Sequence, residues 1–210
     1  PYQPTKPLPW QLVHTELDLT PNWLDTTLSG VADLTLSPTF YDQDSLVLDA
    51  KGMRIGQVLL VVEDPDSYTE TTSRLPYTYD EMKLRLGLPR TYTAADTLHI
   101  RLEYLAQPEK APQHSSQAIV SAKGLYFIDP AGTMTGRPTQ LWTQGETEHA
   151  SRWFPTLDQP NARTTQSLRL TVPDSMVSIS NGSLFPAPTT ATAPTPTTGC
   201  WINPMRPTSL

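Results

Sequence analysis

The run LWTQGETEHASRWFP, residues 141–155, holds the side chains of this sequence that are best suited to bind a ligand. It places Gln144, Glu146, Glu148 and His149 directly between apolar residues. A polar patch beside a core is costly unless solvent, a partner or a ligand satisfies its groups. A carboxylate in such a patch can pair with a protonated amine, because charge-assisted hydrogen bonds are the strong ones. The run is therefore the first candidate for a binding site.

Metal chemistry has less support in the sequence. His14, His99 and His114 are scattered and show no metal-ligand spacing. A single cysteine, Cys200, allows neither an intrachain disulfide framework nor a cysteine metal cluster. The His-Glu-x-x-His motif, which supplies two zinc ligands and a general base from one helix, does not occur. We therefore expect no metal site, no cofactor and no catalytic residue within this chain.

Composition limits the fold and the partners. A length of 210 residues suits one domain with a sizeable core. The 22 prolines cannot lie inside helices or central strands, so part of the chain must be loop, edge or tail. A net charge of −6 without a dense Lys/Arg cluster argues against nucleic acid and anionic membranes as partners. No apolar run approaches the ~20 residues of a membrane span.

Alternation of apolar and polar residues predicts the elements that position the candidate run. Short alternating or apolar segments separated by Asp, Pro, Gly and Asn predict an all-β domain of antiparallel sheets. One helical turn is expected within ETEHASRWF. The predicted strands lie in WQLVHTELDLT, GVADLTLSP, SLVLDA, QVLLVVED, EMKLRLGLP, TLHIRLEYLA, SLRLTVP and MVSISNG. In the first of these, the expected inward face is Val13, Thr15, Leu17 and Leu19, against Leu12, His14, Glu16 and Asp18.

The composition changes after Phe185, where PAPTTATAPTPTTG contains little besides Pro, Thr and Ala. We expect a β domain over residues 1–185 and a disordered tail over 186–210. Such a tail is typical of a linker or a mucin-like stalk. A frameshift near residues 185–189 is the favoured alternative. Read two bases later, the codons of Trp201 and Ile202 give Asp, and the shifted frame is compatible with Asp-Gln-Pro-His-Ala-Pro-Tyr-Leu.

The run GLYFIDPAGTMTGRPTQLWTQGETEHASRWFPTLDQPNARTTQSLRLTVP resembles the N-terminal domain of the aminopeptidase N family of zinc metallo-aminopeptidases, the gluzincins. The pieces LVHTELDL, LDAKGM and AKGLYFI are similar to its bacterial branch. The resemblance extends from about Leu12 to Leu184. It implies a saddle-shaped, β-sandwich-like N-terminal domain over residues 1–185. In the family this domain packs on a thermolysin-like catalytic domain that holds zinc, and that domain is missing here.

The resemblance also implies roles for two residues of the candidate run. Glu146 is the carboxylate that helps to bind the free α-amino group of a peptide substrate, and Gln144 lies at the wall of the pocket for its first side chain. A carboxylate there selects N-termini, because an internal peptide nitrogen carries no charge to pair with it. The alternatives are a solvated acid or a helix N-terminal acid favoured by the helix dipole for Glu146, and a structural amide for Gln144. Glu148 and His149 match no family role, and we expect both on the exposed surface.

Taken together, these observations predict the substrate-pocket domain of a zinc aminopeptidase, an enzyme by family, present as a fragment without its zinc site. The expected partners are the N-terminus of a peptide and the missing catalytic domain. A free-standing β-sheet module of the cell envelope that binds peptides or proteins is the alternative, as is a structural envelope domain with a Thr/Pro stalk. The branch resembled suggests the bacterial envelope, periplasm or a secreted location.

We expect the purified 210-residue chain to release no amino-terminal residue from peptides, with or without added zinc. The reason is that the sequence lacks the zinc-binding motif of the family it resembles. The measurement is hydrolysis of aminoacyl reporter substrates at increasing protein concentration. Release that depends on zinc and stops with a chelator would contradict this prediction.

Overall fold

The residues that the structure describes form strands and one 3-10 helical turn, the latter at Ala150–Arg152. The computed structural model of the chain describes residues 7–64, 67, 69–110, 123–186 and 198–203, with backbone alone for 184–186 and 198–203. Within these residues no helix is long and apolar enough to cross a membrane. The strands are β1 (Trp10–Asn22), β2 (Thr27–Pro38), β3 (Gln43–Asp49), β4 (Met53–Glu63), β5 (Glu70–Arg74), β6 (Tyr77–Tyr79), β7 (Lys83–Tyr92), β8 (Leu98–Ala106), β9 (Leu125–Ile128), β10 (Gln140–Thr143), β11 (Thr165–Val172), β12 (Ser183–Pro186) and β13 (Thr198–Asn203).

The strands form three sheets. The largest has eight strands in the order β12-β13-β11-β1-β2-β8-β4-β5, a second has the order β3-β7-β6, and β9 and β10 form a hairpin. This confirms the predicted all-β class. Pairing is antiparallel except between β1 and β11, which are parallel. Parallel neighbours need a long crossover connection, and here most of the chain lies between the two strands.

The core lies between the large sheet and the three-stranded sheet. β8 shows the predicted alternation, with Leu98, Ile100, Leu102 and Tyr104 buried and Glu103 exposed. One continuous cluster joins these residues to apolar residues of β1, β2 and β4 and to leucines of β3 and β7. Burial of one apolar face from each sheet is the dominant stabilising term of such a domain.

The start of β1 differs from the predicted facing. Leu12 is only 1% exposed, whereas Val13 is 43% exposed. The register between β1 and β2 shifts between Leu12 and His14, which is a β-bulge. A bulge inserts one residue into the ladder and reverses the facing on one side of it. The expected inward face is therefore correct for Thr15, Leu17 and Leu19 and wrong for Leu12 and Val13.

The segment MVSISNG was predicted to be a strand and is not one. It has no ladder partner among the described residues, and Val177 and Ile179 are 88% and 93% exposed. The following segment, predicted as a tail, contains β13, whose backbone pairs with β11 and β12. Residues 187–197 and 204–210 of that segment lie outside the described part of the chain. The domain boundary at residue 185 and the disordered tail therefore stay predictions.

A polar clamp fastens the turn after β3 to the segment that follows the candidate run. It consists of Asp49, Lys51, Ser151, Thr156 and Asp158. The backbone groups of Asp49 and Thr156 exchange two hydrogen bonds of 2.8 and 3.0 Å, and the Lys51 amide donates to the Ser151 carbonyl at 2.7 Å. The Asp158 carboxylate accepts from the Ser151 amide at 3.0 Å and from its hydroxyl at 2.6 Å.

Two ion pairs also belong to the clamp. The Lys51 ammonium lies 3.9 Å from the Asp158 carboxylate, and Asp49 pairs with Lys83. The Asp158 amide donates to the second Asp49 oxygen at 3.2 Å. The side chains of Asp49 and Asp158 are each only 10% exposed, so each charge depends on these partners in place of water. The clamp therefore holds residues 151–158 against the domain.

We expect Gly30→Ala to destabilise the domain by about 1–3 kcal/mol, because the added methyl group overpacks the core. Gly30 pairs with Tyr104 across β2 and β8, and a Cβ at this position would lie 2.7 Å from the Tyr104 Cε1 atom. The measurement is the free energy of unfolding in urea. Gly87→Ala on β7 is the matched control, since a Cβ there meets nothing within 4 Å. An equal loss in both variants would contradict the packing argument.

We expect Asp158→Asn to lower the free energy of unfolding by about 2–4 kcal/mol, because it leaves the largely buried Lys51 ammonium without its carboxylate and weakens two charged hydrogen bonds. The control is Asp18→Asn, which removes a surface pair with Arg169 whose side chains are 43% and 41% exposed. The control should change stability by about 0–1 kcal/mol. If the two variants unfold at the same denaturant concentration, the clamp does not stabilise the domain.

Candidate functional site

The candidate run begins on the β9–β10 hairpin. In the register of the hairpin, Leu141 pairs with Phe127, and Trp142 pairs with Tyr126. Leu141 and Phe127 pack against the core. Because side chains alternate along a strand, Trp142 and Tyr126 lie on the other face. Their rings are stacked, with centroids 4.3 Å apart and an interplanar angle of 10°.

The pairing continues by one step beyond β10. The Gln144 amide donates to the Gly124 carbonyl at 2.9 Å, which extends the hairpin ladder. Gln144 is two residues from Trp142 and therefore belongs to the same face of the hairpin. The extended strand thus places the candidate wall residue beside the aromatic stack.

Gly124 allows the hairpin to approach the segment after the run. Its φ of +72° lies in the left-handed region. A Cβ there would lie 2.9 Å from the Arg152 Cβ and still closer to the His149 carbonyl oxygen. Only glycine avoids both the backbone strain and the collision. The base of the hairpin is therefore pressed against residues 149–152.

The connection between β9 and β10 is ordered by Asp129. Its carboxylate accepts from the Met134 amide at 2.9 Å and from the Thr133 amide at 3.0 Å, and its carbonyl accepts from the Thr139 hydroxyl. The Met134 bond, followed by the Thr133 bond, lowers the pKa of Asp129. These local bonds order the connection between Asp129 and Thr139.

A tight turn presents the residues that follow Gln144. The His149 amide donates to the Gly145 carbonyl at 3.0 Å, and the His149 Nδ1 atom donates to the Glu146 carbonyl at 2.7 Å. The Lys51 ammonium donates to the Glu148 carbonyl at 2.6 Å. The backbone of the turn is thus held from both sides, while residues 144–148 are all exposed.

The structure places three of the predicted residues of the run on the exposed surface and the fourth, His149, in a partly buried position. Gln144 and Glu146 both lie on the exposed side of the turn, as does Glu148, which was expected at the surface. His149 was also expected at the surface, but it is only partly exposed, because its ring closes the turn on the Glu146 carbonyl. Glu146 does not belong to the first turn of the 3-10 helix, which holds no acidic residue, so the alternative of a helix N-terminal acid is not supported.

Two basic residues lie beside the exposed turn. Arg152 is almost fully buried at the base of the hairpin, and burial lowers the pKa of its guanidinium, opposed by the nearby Tyr126. Lys51 joins the turn to the clamp through the Glu148 carbonyl and the Asp158 carboxylate. Sequence reasoning missed Lys51 as a site residue. The sequence signal that could have identified Lys51 is its position in the segment LDAKGM, where a charged residue directly follows an apolar strand.

The run forms an exposed wall rather than an enclosed pocket. An open cavity of about 1110 Å³ lies elsewhere, between β4, β5, β7 and β8, and its lining includes neither Gln144 nor Glu146. Zinc in proteins takes three or four ligands, and the described part of the chain brings no group of three or more His, Cys, Asp or Glu together to hold a metal. The described residues therefore do not fit a zinc ion.

Comparison with known proteins gives this wall a context. Among solved structures, an M1 zinc metallopeptidase from Deinococcus radiodurans is 21% identical, with a TM-score of 0.67 over 93% of this chain and 39% of the other. Yeast LTA4 hydrolase is 15% identical, with a TM-score of 0.65 over 93% of this chain and 26% of the other. At these identities the likeness shows the fold.

A curated relative has a different role. The transcription initiation factor TFIID subunit 2 of Danio rerio is 25% identical over 198 residues, which is 85% of this chain and 17% of that protein. The chain thus spans less than two fifths of each of these relatives. They come from a bacterium, a yeast and a fish, so membership of the bacterial branch stays a prediction.

The family of this chain is shown by the match of its amino-acid sequence to a family model. The family model described as the peptidase M1 N-terminal domain matches residues 11–191, most of the chain. The all-β fold and the structural neighbours agree with this match. The chain therefore belongs to the peptidase M1 N-terminal domain family, the N-terminal domain of M1 zinc metallopeptidases.

Proposed function

We propose that this domain forms one wall of the substrate site of a zinc aminopeptidase. In this proposal Glu146 binds the α-amino group of a peptide and Gln144 lines the pocket for its first side chain. The catalytic domain, with its zinc, supplies the rest of the site. The observation that carries the proposal is the exposure of Gln144 and Glu146 on a turn whose backbone is hydrogen-bonded on both sides.

The arrangement suits recognition of an ammonium group. The polar bonds of the turn use backbone carbonyls of Glu146 and Glu148, and the Glu146 carboxylate takes no part in them. A fixed backbone with an accessible carboxylate is preorganised, so little entropy is lost when a cation binds. Closure of a catalytic domain over the wall would remove water and strengthen the pair.

The solved neighbours are consistent with this proposal. One is a variant of a two-domain M1 zinc metallopeptidase bound to L-tryptophan, with a TM-score of 0.68 and 20% identity. Another is bound to L-arginine. Each of these ligands carries a free α-amino group, which is the group assigned here to Glu146. The assignment to this chain rests on the exposed turn and on membership of the family.

A second candidate function is a binding module without peptidase activity. The observation that favours it is the likeness to a subunit of a transcription initiation factor. In that case the exposed turn and the outer face of the hairpin would contact a protein partner. The two candidates differ in what Glu146 recognises, because a free amino group is required only by the aminopeptidase site.

We expect Glu146→Gln to lower kcat/KM for peptides with a free N-terminus by roughly ten- to a hundredfold, because a charge-assisted hydrogen bond to the ammonium is lost. The measurement uses the longer protein in which this domain is joined to its catalytic domain. Folding should be unchanged in a thermal melt, since the carboxylate lies outside the core.

Glu148→Gln is the matched control, because it removes the same charge two residues away and keeps the carbonyl that Lys51 binds. This control should retain activity. Equal losses in both variants, or a loss for Glu146→Gln that follows a lower melting temperature, would show that Glu146 is scaffold. Full activity of the Glu146→Gln variant would show that Glu146 does not bind the amino group, whereas a lack of peptidase activity in the unmutated longer protein would favour the binding-module function.

A further inference from the structure

The stacked rings of Tyr126 and Trp142 form an aromatic platform beside the candidate wall. We propose that this platform is a specificity-determining surface that binds an aromatic or large apolar side chain of the peptide. This inference rests on the proposed aminopeptidase site and names the substrate class that the site favours. It assigns a ligand to a pair of residues that neither the turn nor the clamp uses.

The platform is preorganised. The rings lie nearly parallel with centroids 4.3 Å apart, and the Tyr126 hydroxyl accepts a hydrogen bond from the Lys123 amide at 3.3 Å. The two residues are a cross-strand pair of the hairpin, so the ladder fixes their separation. Tyr126 stacks on one face of the indole, and Trp142 is nevertheless 44% exposed. A ligand that stacks there meets a surface that does not have to reorganise.

The platform lies on the same face as the proposed substrate residues. Trp142 is two residues before Gln144 along one extended segment, a separation of about 7 Å. Gln144 in turn precedes Glu146 at the start of the turn. In this proposal, a peptide whose amino group is held by Glu146 extends its side chains along this face toward the indole. Both neighbours in the hairpin register, Gln140 and Ile128, are uncharged.

The chemistry of the platform selects the ligand class. Offset stacking on an indole favours aromatic rings, and apolar chains gain from removal of the same surface from water. An acidic side chain stacked on the indole would lose hydration, and the indole ring carries no positive charge to compensate for that loss. The platform therefore discriminates by the size and apolarity of the bound side chain, whereas the Glu146 carboxylate discriminates by the charge of the amino group.

The test compares substrates with the protein that contains both this domain and its catalytic domain. We expect Trp142→Ala to lower kcat/KM about tenfold for peptides with Phe or Leu at the first two positions, and less than twofold for Ala-Ala peptides. Trp142→Phe, which keeps an aromatic face, should restore most of the preference. Phe40→Ala is the matched control, because Phe40 is 69% exposed on the connection from β2 to β3.

The outcomes separate this inference from the proposed function. A loss of equal size on all substrates, or weaker association with the catalytic domain, would show that the platform is an interdomain contact and would overturn the inference. In that case Glu146→Gln still reports on the amino-group site. If Glu146→Gln has no effect while Trp142→Ala changes the preference, the platform stands and the amine assignment fails. Absence of both peptide hydrolysis and peptide binding would overturn both.

Discussion

The polar clamp between the turn after β3 and residues 151–158 is the constraint on which the candidate site depends. Its two carboxylates, Asp49 and Asp158, are largely removed from water and are satisfied by backbone amides, a serine hydroxyl and two lysines. Interactions of this kind are specific in direction, unlike burial of apolar surface. The clamp therefore fixes where the segment lies, while the apolar core supplies most of the stability.

The clamp and the hairpin act on opposite ends of the exposed turn. The hairpin ladder ends at Gln144, the clamp begins at Ser151, and Gly124 brings the two together against Arg152. Lys51 joins both parts, since its ammonium contacts the Glu148 carbonyl and the Asp158 carboxylate. Residues 144–148 are consequently held in place without being buried. This combination of a fixed backbone and free side chains is what a binding wall requires.

In the proposed function, a catalytic domain covers the side on which the candidate site is open. The chain spans 39% and 26% of the Deinococcus radiodurans M1 zinc metallopeptidase and yeast LTA4 hydrolase structures. A wall that awaits a second surface can keep polar side chains hydrated in isolation and lose that water when the surface closes. The exposed aromatic platform beside Gln144 follows the same logic, because an apolar patch next to a polar anchor offers two different kinds of recognition.

The sequence predicted the strands best where the alternation was regular. The facing of β8 was predicted in full, because four buried apolar residues alternate with polar ones. The facing of Leu12 and Val13 was wrong, since a β-bulge changes the register without leaving a mark in hydrophobicity. MVSISNG has the composition of a strand, but a strand also needs a partner for its backbone, and none lies beside it among the described residues.

The amino-acid sequence by itself determined the all-β class, the helical turn before Trp153 and the location of the candidate run, because alternation and polarity are local properties. Tertiary structure alone decided the parallel pairing of β1 with β11 and the role of Lys51. It also decided that Tyr126 and Trp142 stack beside Gln144. These features join residues that are distant in sequence or depend on register, and pairing across the fold is not encoded in any short stretch of the chain.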